Sequence, residues 1–227
     1  MGAKGKIGLI GLAVMGANLA RNLAGHGIST VVYNRSRDKT ENFLKEFGSD
    51  TNLSGAAALE ELVNSLEKPR KIILMIKAGE AVDAMIAKLV PFLEKGDILI
   101  DGGNSFFEDT RRRSREMEAL GFHFVGMGVS GGEEGALHGP SLMPGGTREA
   151  YDALAPILKA VSAKAEGEAC VDYMGPDGAG HYVKMVHNGI EYADMQMIAD
   201  TYFVMKNVLG MTAEEMADTW EMWNKGE

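Results

Sequence analysis

Four polar side chains near the carboxyl end of the sequence are spaced as though they share one face of a helix. They stand at positions i, i+3, i+4 and i+7 and are Lys184, His187, Asn188 and Glu191. At about 100° per residue they lie together, with Tyr192 at the edge of the face, and the opposite arc is apolar. A solvated surface is the ordinary explanation of a polar face, but such a surface usually repeats lysine, glutamate and arginine. Histidine, asparagine and tyrosine have defined hydrogen-bonding geometry, which favours a site for hydroxyl and carboxylate groups.

A lysine and a glutamate two turns apart could divide the work of a general base and a general acid. Lys184 would be a base only in its neutral form, which requires burial or nearby positive charge. Glu191 would be an acid only when protonated. The sequence therefore predicts proton transfer at this helix face.

A glycine-bearing turn near the amino end is typical of dinucleotide binding. It follows a predicted strand, opens a predicted helix and consists of Gly11, Leu12, Ala13, Val14, Met15 and Gly16. The first glycine makes the tight turn and the last allows the helix to pack on the strand, while a small residue between them lets a pyrophosphate approach the helix N-terminus. Ala13 replaces the usual middle glycine. A purely structural strand-to-helix turn is the alternative interpretation.

The end of the second predicted strand indicates which dinucleotide would bind. NAD-binding enzymes place an aspartate or glutamate there for the ribose 2′-hydroxyl, whereas this chain has Asn34, Arg35 and Ser36. A guanidinium group and two small polar side chains suit a 2′-phosphate instead. The sequence thus favours NADP over NAD, with a solvated loop charge as the alternative role of Arg35.

Further polar and glycine-rich segments follow other predicted strands. Gly79 ends a turn after the strand 71–76, and Asn104 ends the turn 101–104, where it could bond a ribose or substrate hydroxyl. Ser130 followed by Gly131 and Gly132 could form a concave site for a carboxylate or phosphate. The adjacent acidic residues lack an evident set of metal ligands, so no metal is expected.

The elements that position these segments alternate between strand and helix. The predicted strands are Lys6–Ile10, Thr30–Tyr33, Lys71–Ile76, Asp97–Ile100 and His123–Val125. The predicted helices between them are Met15–His26, Lys39–Phe47, Gly55–Leu66, Glu80–Leu93 and Thr110–Leu120. Nearly continuous apolar strands imply burial on both faces. The pattern predicts an α/β fold, a Rossmann-like doubly wound parallel sheet, as domain 1–177.

Residues 178–227 are expected to begin an all-helical second domain. One helix of roughly 30 residues runs from Gly178 to Leu209, and Gly210 closes it. Thr212 and Glu215 form a capping box that starts another helix. The apolar side chains in and around this helix have little chain left to cover them, which suggests a partner subunit or a continuation of the chain; the alternative is that they fold back on the first domain. They are Leu209, Met211, Met216, Trp220, Met222 and Trp223.

Composition and charge exclude several classes of function. The chain has 227 residues and a formal net charge of −9, which argues against nucleic acid or an anionic membrane as partner. The single cysteine, Cys170, favours a reducing compartment, and no apolar run approaches the roughly 18 residues of a membrane span, so a cytoplasmic location is expected. Glycine is in excess, with 29 residues, and the stretch from Gly96 to Gly146 is expected to wrap the nicotinamide end of the cofactor and the substrate.

These motifs together resemble the 6-phosphogluconate dehydrogenases, NADP-dependent decarboxylating enzymes of the pentose phosphate pathway. The resemblance rests on residues 11–16, 34–36, 77–79 and 101–104, on Ser-Gly-Gly-Glu-Glu-Gly-Ala at 130–136 and on Gly-His-Tyr-Val-Lys-Met-Val-His-Asn-Gly-Ile-Glu-Tyr at 180–192. It implies that Lys184 is the general base for the 3-hydroxyl of 6-phosphogluconate, and that Glu191 protonates the enediol that remains after loss of CO2. The substrate contacts it implies are Asn104, Ser130, Gly131, Gly132, His187, Asn188 and Tyr192. The NADP contacts it implies are the turn 11–16, Asn34, Arg35, Ser36, Ile76, Lys77, Ala78 and Asn104.

The resemblance also raises an expectation about length. Chains of that family are about twice as long, form homodimers and complete the substrate site with residues of a large helical domain. We therefore expect this chain to be an amino-terminal portion that binds NADP and turns over 6-phosphogluconate poorly. The alternatives are a 3-hydroxyisobutyrate-type dehydrogenase, against which Arg35 and the pair Glu191 and Tyr192 argue, and a non-catalytic NADP-binding module.

Overall fold

A seven-stranded sheet forms the centre of the fold in the computed structural model, which describes residues 4–49 and 51–226. The strand order is β3-β2-β1-β4-β5-β6-β7, and neighbours are parallel except that β7 is antiparallel to β6. The chain winds outward from β1 in one direction and from β4 in the other. Ligands of such sheets bind beyond the carboxyl ends of the strands, where the order reverses. The predicted doubly wound fold is confirmed.

The elements follow one another as strands and helices in alternation. The strands are β1 (Ile7–Ile10), β2 (Thr30–Tyr33), β3 (Leu53–Gly55), β4 (Lys71–Leu74), β5 (Ile98–Asp101), β6 (His123–Ser130), β7 (Ser141–Pro144), β8 (Lys164–Ala165) and β9 (Glu168–Ala169), the last two forming a separate hairpin. The helices are α1 (Val14–Gly25), α2 (Arg37–Phe47), α3 (Leu59–Asn64), α4 (Glu80–Leu89), α5 (Phe107–Ala119), α6 (Gly132–His138), α7 (Arg148–Val161), α8 (Ala179–Asn207) and α9 (Ala213–Asn224).

The structure corrects several predicted bounds. The predicted helix from Gly55 is wrong at its start, because residues 53–55 pair with β2 as an edge strand. Helix α4 ends at Leu89 and gives way to a 3₁₀ turn that contains Pro91, which has no N–H to continue the α-helical ladder. Strand β6 runs on to Ser130 because it pairs with β7, a strand that the glycine-rich sequence concealed. Helices α6 and α7 were also missed.

Both faces of the sheet are buried, as the apolar strands predicted. On one face Ile73 of β4 lies in a cluster with α1 and α7. On the other face Ile72 and Leu74 lie in a cluster with α3, α4 and α5. All three side chains are at most 1% exposed, so β4 is held rigidly between two helical layers.

The chain divides into two compact units, residues 1–184 and 185–227. The predicted first domain, 1–177, includes positions 1–3 and 50, which lie outside the described residues, as does Glu227 of the predicted second domain. No helix among the described residues is long and apolar enough to cross a membrane.

The first turn of α8 packs directly on main chain of the sheet. A Cβ atom on Gly180 would clash with the carbonyl oxygens of Gly126 in β6 and Met143 in β7. Only glycine allows the helix to approach the two strands this closely. The beginning of α8, and with it Lys184, is therefore located by backbone contacts.

The second unit consists of the later turns of α8 and of α9. Gly210 has a φ of +65° and ends the helical segment, and the capping box of Thr212 and Glu215 is present at the start of α9. Met216 is buried, so the expectation that it lacks cover is wrong, whereas Leu209 and Trp223 are exposed. The apolar arc of α8 is likewise exposed, at Val186, Ile190 and Met197.

Candidate functional site

A cavity of about 610 Å³ lies at the carboxyl ends of the central strands, all of it within the first unit. Its volume is typical of small-molecule and cofactor sites. The predicted cofactor residues that line it are Gly11, Ala13, Met15, Asn34, Arg35, Ser36, Ile76, Lys77 and Asn104. The segments that follow β1, β2, β4 and β5 thus converge on one site, as expected for the switch point of a doubly wound sheet.

The turn after β1 is tight and prepared for an anion. Gly11 has a φ of +103°, and a Cβ there would clash with the carbonyl of Met75, while a Cβ on Gly16 would clash with the carbonyl of Gly11. Ala13 caps α1 without a side-chain hydrogen bond, and the first turn of α1 carries no acidic residue. The amides and the dipole of the helix N-terminus are therefore available to a phosphate, because no capping or acidic side chain of the first turn engages them.

The turn after β2 is held by Asn34. Its Oδ1 accepts a hydrogen bond from the amide of Leu12 at 3.1 Å, and its Nδ2 donates to the carbonyl of Ser36 at 3.2 Å. These bonds join the turn after β2 to the turn after β1. Arg35 and Ser36 are exposed beside the cavity, where they can meet a ligand.

Positive charge dominates the cavity wall. Four cationic side chains line it, namely Arg35, Lys39, Lys77 and Lys88, and the described lining residues include no carboxylate. In a chain with a net charge of −9 this local excess of cations suits a ligand with several phosphate groups. Lys39 and Lys88 were missed by the sequence analysis, because lysines on helices ordinarily mark a solvated face. Lys39 stands shortly after a strand-end turn, which was the available signal for it, whereas Lys88 lies in the last turn of α4 and had no such signal.

An ion pair between the buried Arg113 and the partly exposed Asp83 lies next to two of the turns. Arg113 of α5 is 1% exposed and donates Nε and Nη2 to the two carboxylate oxygens of Asp83, each at 2.8 Å. Its Nη2 also donates to the carbonyl of Gly79 at 3.0 Å, and Nη1 lies 3.7 Å from Asp101. Arg113 holds the pKa of Asp83 well below its usual range, mainly through these hydrogen bonds. The turn after β4 is thus hydrogen-bonded to this guanidinium group, which also lies beside the Asp101 carboxylate at the end of β5.

The Asp101 carboxylate shapes the turn that carries Asn104. It is fully buried, and its Oδ1 accepts a hydrogen bond from the amide of Gly103 at 3.1 Å while its Oδ2 accepts one from the Ser105 hydroxyl at 2.6 Å. Asn104 is exposed and lines the cavity. Asp101 was not singled out by its sequence position, although it ends a buried strand.

Lys184 is buried, at 7% exposure, in the second turn of α8. Its Cβ lies over Gly128 of β6, where an added Cβ would come within 2.6 Å of it. The lysine stem therefore rests on the sheet, and the side chain is largely removed from solvent.

The remaining predicted residues of the first unit do not line this cavity. They are Leu12, Val14, Gly16, Ala78, Ser130, Gly131 and Gly132. Ser130 ends β6, and Gly131, with a φ of +118°, caps α6. Among the glycines from 96 to 146, which are expected to wrap ligands, Gly102 and Gly103 line the cavity, whereas Gly126 and Gly128 make room for α8.

In the second unit, the face of α8 brings three predicted side chains together. His187 Nδ1 lies 3.1 Å from Asn188 Oδ1 and 3.6 Å from Glu191 Oε2. Tyr192 is 70% exposed. Within the described ranges, no group of three or more His, Cys, Asp or Glu side chains could hold a metal ion.

Comparison with known proteins shows where this arrangement recurs. Residues 6–175 match the family model for the NAD binding domain of 6-phosphogluconate dehydrogenase, and residues 180–227 match the model for the C-terminal domain of the same enzyme. The NADP(+)-dependent, decarboxylating 6-phosphogluconate dehydrogenase of Bacillus subtilis is 60% identical over 99% of this chain and 48% of its own. The chain thus spans about half the length of the curated relatives it matches.

Two solved structures extend the comparison. That of Plasmodium falciparum 6-phosphogluconate dehydrogenase, determined in its apo form and with its cofactor NADP+ and its substrate 6-phosphogluconate, is similar with a TM-score of 0.93 at 46% identity, over 97% of this chain and 48% of the other. A 3-hydroxyisobutyrate dehydrogenase of Mycobacterium tuberculosis has a TM-score of 0.77 at 23% identity, over 95% of this chain and 69% of the other, which shows a shared fold.

Proposed function

Because the chain belongs to the 6-phosphogluconate dehydrogenase family, we propose that it is the NADP-binding part of an enzyme that converts 6-phosphogluconate to ribulose 5-phosphate and CO2. The observation that carries the proposal is the cavity lined by four cationic side chains and by no described carboxylate. NADP carries a pyrophosphate and a 2′-phosphate, so its charge complements this wall.

The residues present fit the cofactor. The N-terminus of α1 would bind the pyrophosphate, and Arg35 with Ser36 would bind the 2′-phosphate. The other cofactor contacts that we propose are Leu12, Val14, Gly16, Asn34, Ile76, Lys77, Ala78 and Asn104. When bound, NADP accepts the hydride that leaves the substrate as it is oxidised.

Two side chains of α8 would move protons. Lys184 takes the proton of the 3-hydroxyl as general base, and its position over Gly128 fixes the stem of the side chain. The 3-keto acid then loses CO2, and Glu191 gives a proton to the resulting enediol. Asn104, Ser130, Gly131, Gly132, His187, Asn188 and Tyr192 are the proposed substrate contacts, and no metal is needed.

The proposal also covers location, oligomeric state and the division of the chain into domains. We expect the complete protein to be a cytoplasmic homodimer, without nucleic acid or membrane as partner. Domain 1–177 would bind the cofactor, and 178–227 would begin the helical domain. The chain by itself would bind NADP and turn over substrate poorly, because it spans about half the length of its relatives.

A comparison of two cofactors tests the proposal. Titration calorimetry of the chain should give at least about tenfold tighter binding of NADP than of NAD, since a phosphate contact with arginine is worth about 1.5–3 kcal/mol. Arg35→Ala should remove most of this preference and leave NAD binding nearly unchanged. Lys4→Ala, far along the sequence from the turn, is the control substitution. Equal affinity for the two cofactors, or a preference for NAD, would contradict the role of Arg35 and favour the 3-hydroxyisobutyrate-type alternative.

A second measurement addresses the reaction. Addition of 6-phosphogluconate and NADP should yield NADPH far more slowly than the full-length enzymes of the family do. Full-length-like turnover would show that the chain needs no further residues. Binding of NADP without any binding of 6-phosphogluconate would favour a non-catalytic module.

A further inference from the structure

His181 lies one turn before Lys184 on α8 and has no role in the chemistry described above. It is 2% exposed, and its Nδ1 lies 2.7 Å from the Oγ1 of Thr110 in α5. A Cβ on Gly126 of β6 would come within 2.9 Å of the same nitrogen. The ring is therefore clamped between a helix and a strand, with one nitrogen engaged by a hydroxyl group.

The other ring nitrogen faces a different environment. Nε2 is buried and makes no hydrogen bond within the described part of the chain. The Asp101 carboxylate and the main-chain carbonyls of Asp101 and Gly103 lie near enough to raise the pKa of the ring, although burial has the larger effect and lowers it. Burial therefore favours the neutral imidazole, and the ring lies beside Gly126, which pairs with Asp101 at the start of the turn that carries Asn104.

The Thr110 hydroxyl favours one tautomer of the ring. If Nδ1 carried the proton, it would donate to the Thr110 hydroxyl, and Nε2 would be left as a buried lone pair with no donor within the described part of the chain. If Nε2 carries the proton, the Thr110 hydroxyl can donate to Nδ1, and Nε2–H is a buried donor available to an acceptor that approaches the ring. That hydroxyl lies closer to Nδ1 than to the Phe106 carbonyl, at 2.7 Å against 3.3 Å.

We propose that His181 is a positioning residue, which ties the cofactor-binding turn 101–104 to the helix that carries Lys184. Thr110 donates to Nδ1, and Nε2–H closes on the carbonyls of the turn when the cofactor settles against Gly102, Gly103 and Asn104. Occupancy of the cavity is thereby transmitted to the first turn of α8. This inference rests on the proposed function, since the cavity must hold the dinucleotide.

The test uses a matched pair of substitutions at Thr110, because His181→Ala would leave a cavity and could unfold the chain. Thr110→Val keeps the shape and removes the hydroxyl, whereas Thr110→Ser keeps the hydroxyl and removes a methyl group. NADP affinity is measured by calorimetry, well below the thermal unfolding of each variant. Long-range ¹H–¹⁵N NMR reports the tautomer of His181, whose signals are assigned with His181→Gln.

We expect a neutral His181 with its proton on Nε2 and a ¹⁵N shift on addition of NADP. In Thr110→Val, His181 should lose its preference for a proton on Nε2, and NADP should bind roughly five- to tenfold more weakly, the effect of about one hydrogen bond. The NADP affinity of Thr110→Ser should stay within about twofold of that of the wild type. A merely structural role would lower stability in both variants without changing affinity.

Other outcomes separate the inference from the function on which it rests. A proton on Nδ1, the absence of a ¹⁵N shift at saturating NADP, or unchanged affinity in Thr110→Val would overturn the role of His181 alone. Failure of the wild-type chain to bind NADP would overturn the proposed function, and the inference with it.

Discussion

Replacing Arg113 by lysine should destabilise the chain far more than the same change one residue earlier. Both Arg112 and Arg113 donate to the Asp83 carboxylate, at 2.9 Å and 2.8 Å. Arg113 is 1% exposed, however, whereas the side chain of Arg112 is 45% exposed. The two positions therefore share a partner and differ in burial, so Arg112→Lys is a matched control for Arg113→Lys.

The size of the effect follows from the bonds of Arg113. Its guanidinium group makes two hydrogen bonds to Asp83 and one to the carbonyl of Gly79. A lysine ammonium is a point charge and cannot reproduce this fork, so about two of the three bonds should be lost. Hydrogen bonds with a charged partner contribute about 1.5–3 kcal/mol each, and some relaxation will recover part of that energy. We expect the free energy of unfolding to fall by about 2–4 kcal/mol, against less than about 1 kcal/mol for Arg112→Lys.

Urea denaturation followed by circular dichroism measures both variants, and calorimetry gives their NADP affinity. A loss of this size corresponds to a fall of roughly 5–15 °C in melting temperature for a chain of this length. Because Arg113 also holds the turn at Gly79, its variant should bind NADP more weakly than the Arg112 variant does. Equal losses of stability at the two positions would refute the assignment of Arg113 as the anchor.

Two other predictions concern stability. Asp97→Asn should lower the free energy of unfolding by about 3–5 kcal/mol, because this buried carboxylate accepts hydrogen bonds from the amide and Nη1 of Arg70 and from the amide of Glu94. Urea denaturation should show a much smaller loss for the exposed control Glu94→Gln. Similar losses in the two variants would contradict the role of burial. Burial lowers the pKa of His181, with Asp101 opposing and Arg113 reinforcing the shift, so the unfolded chain binds a proton that the folded chain excludes. The free energy of unfolding should therefore fall as the pH drops below about 6.5, by up to about 1.4 kcal/mol per pH unit. His181→Gln should flatten the dependence of this free energy on pH between about pH 7.5 and 5.5. Equal slopes for the two proteins would be evidence against a buried neutral histidine.

The parts of the fold that the sequence predicted are those set by local chemistry. The turn 11–16 and the capping box at Thr212 depend on residues within a few positions of one another, and both are present in the structure. The parallel strands were recognisable because an apolar run that is buried on both faces has no polar alternation.

The parts that were missed depend on contacts between distant segments. Arg113 sits in a run of arginines that is typical of a solvated helix, and its burial arises only when α5 packs beneath Gly79 and Asp101. Strand β7 exists because Ser141–Pro144 pairs with β6, although its sequence is that of a glycine-flanked loop. Lys39 and Lys88 come to line the same cavity only when α2 and α4 are placed around it.

The contact of Gly180 with the carbonyls of Gly126 and Met143 has a consequence for sequence divergence. Peptide groups are chemically the same whichever side chains they carry, so substitutions in the cavity wall leave this contact intact. A lineage could therefore retune its choice of nucleotide without displacing Lys184, whereas a single added methyl group at position 180 would move the helix. Mutational tolerance should therefore be low at Gly180, a position that has no side chain at all.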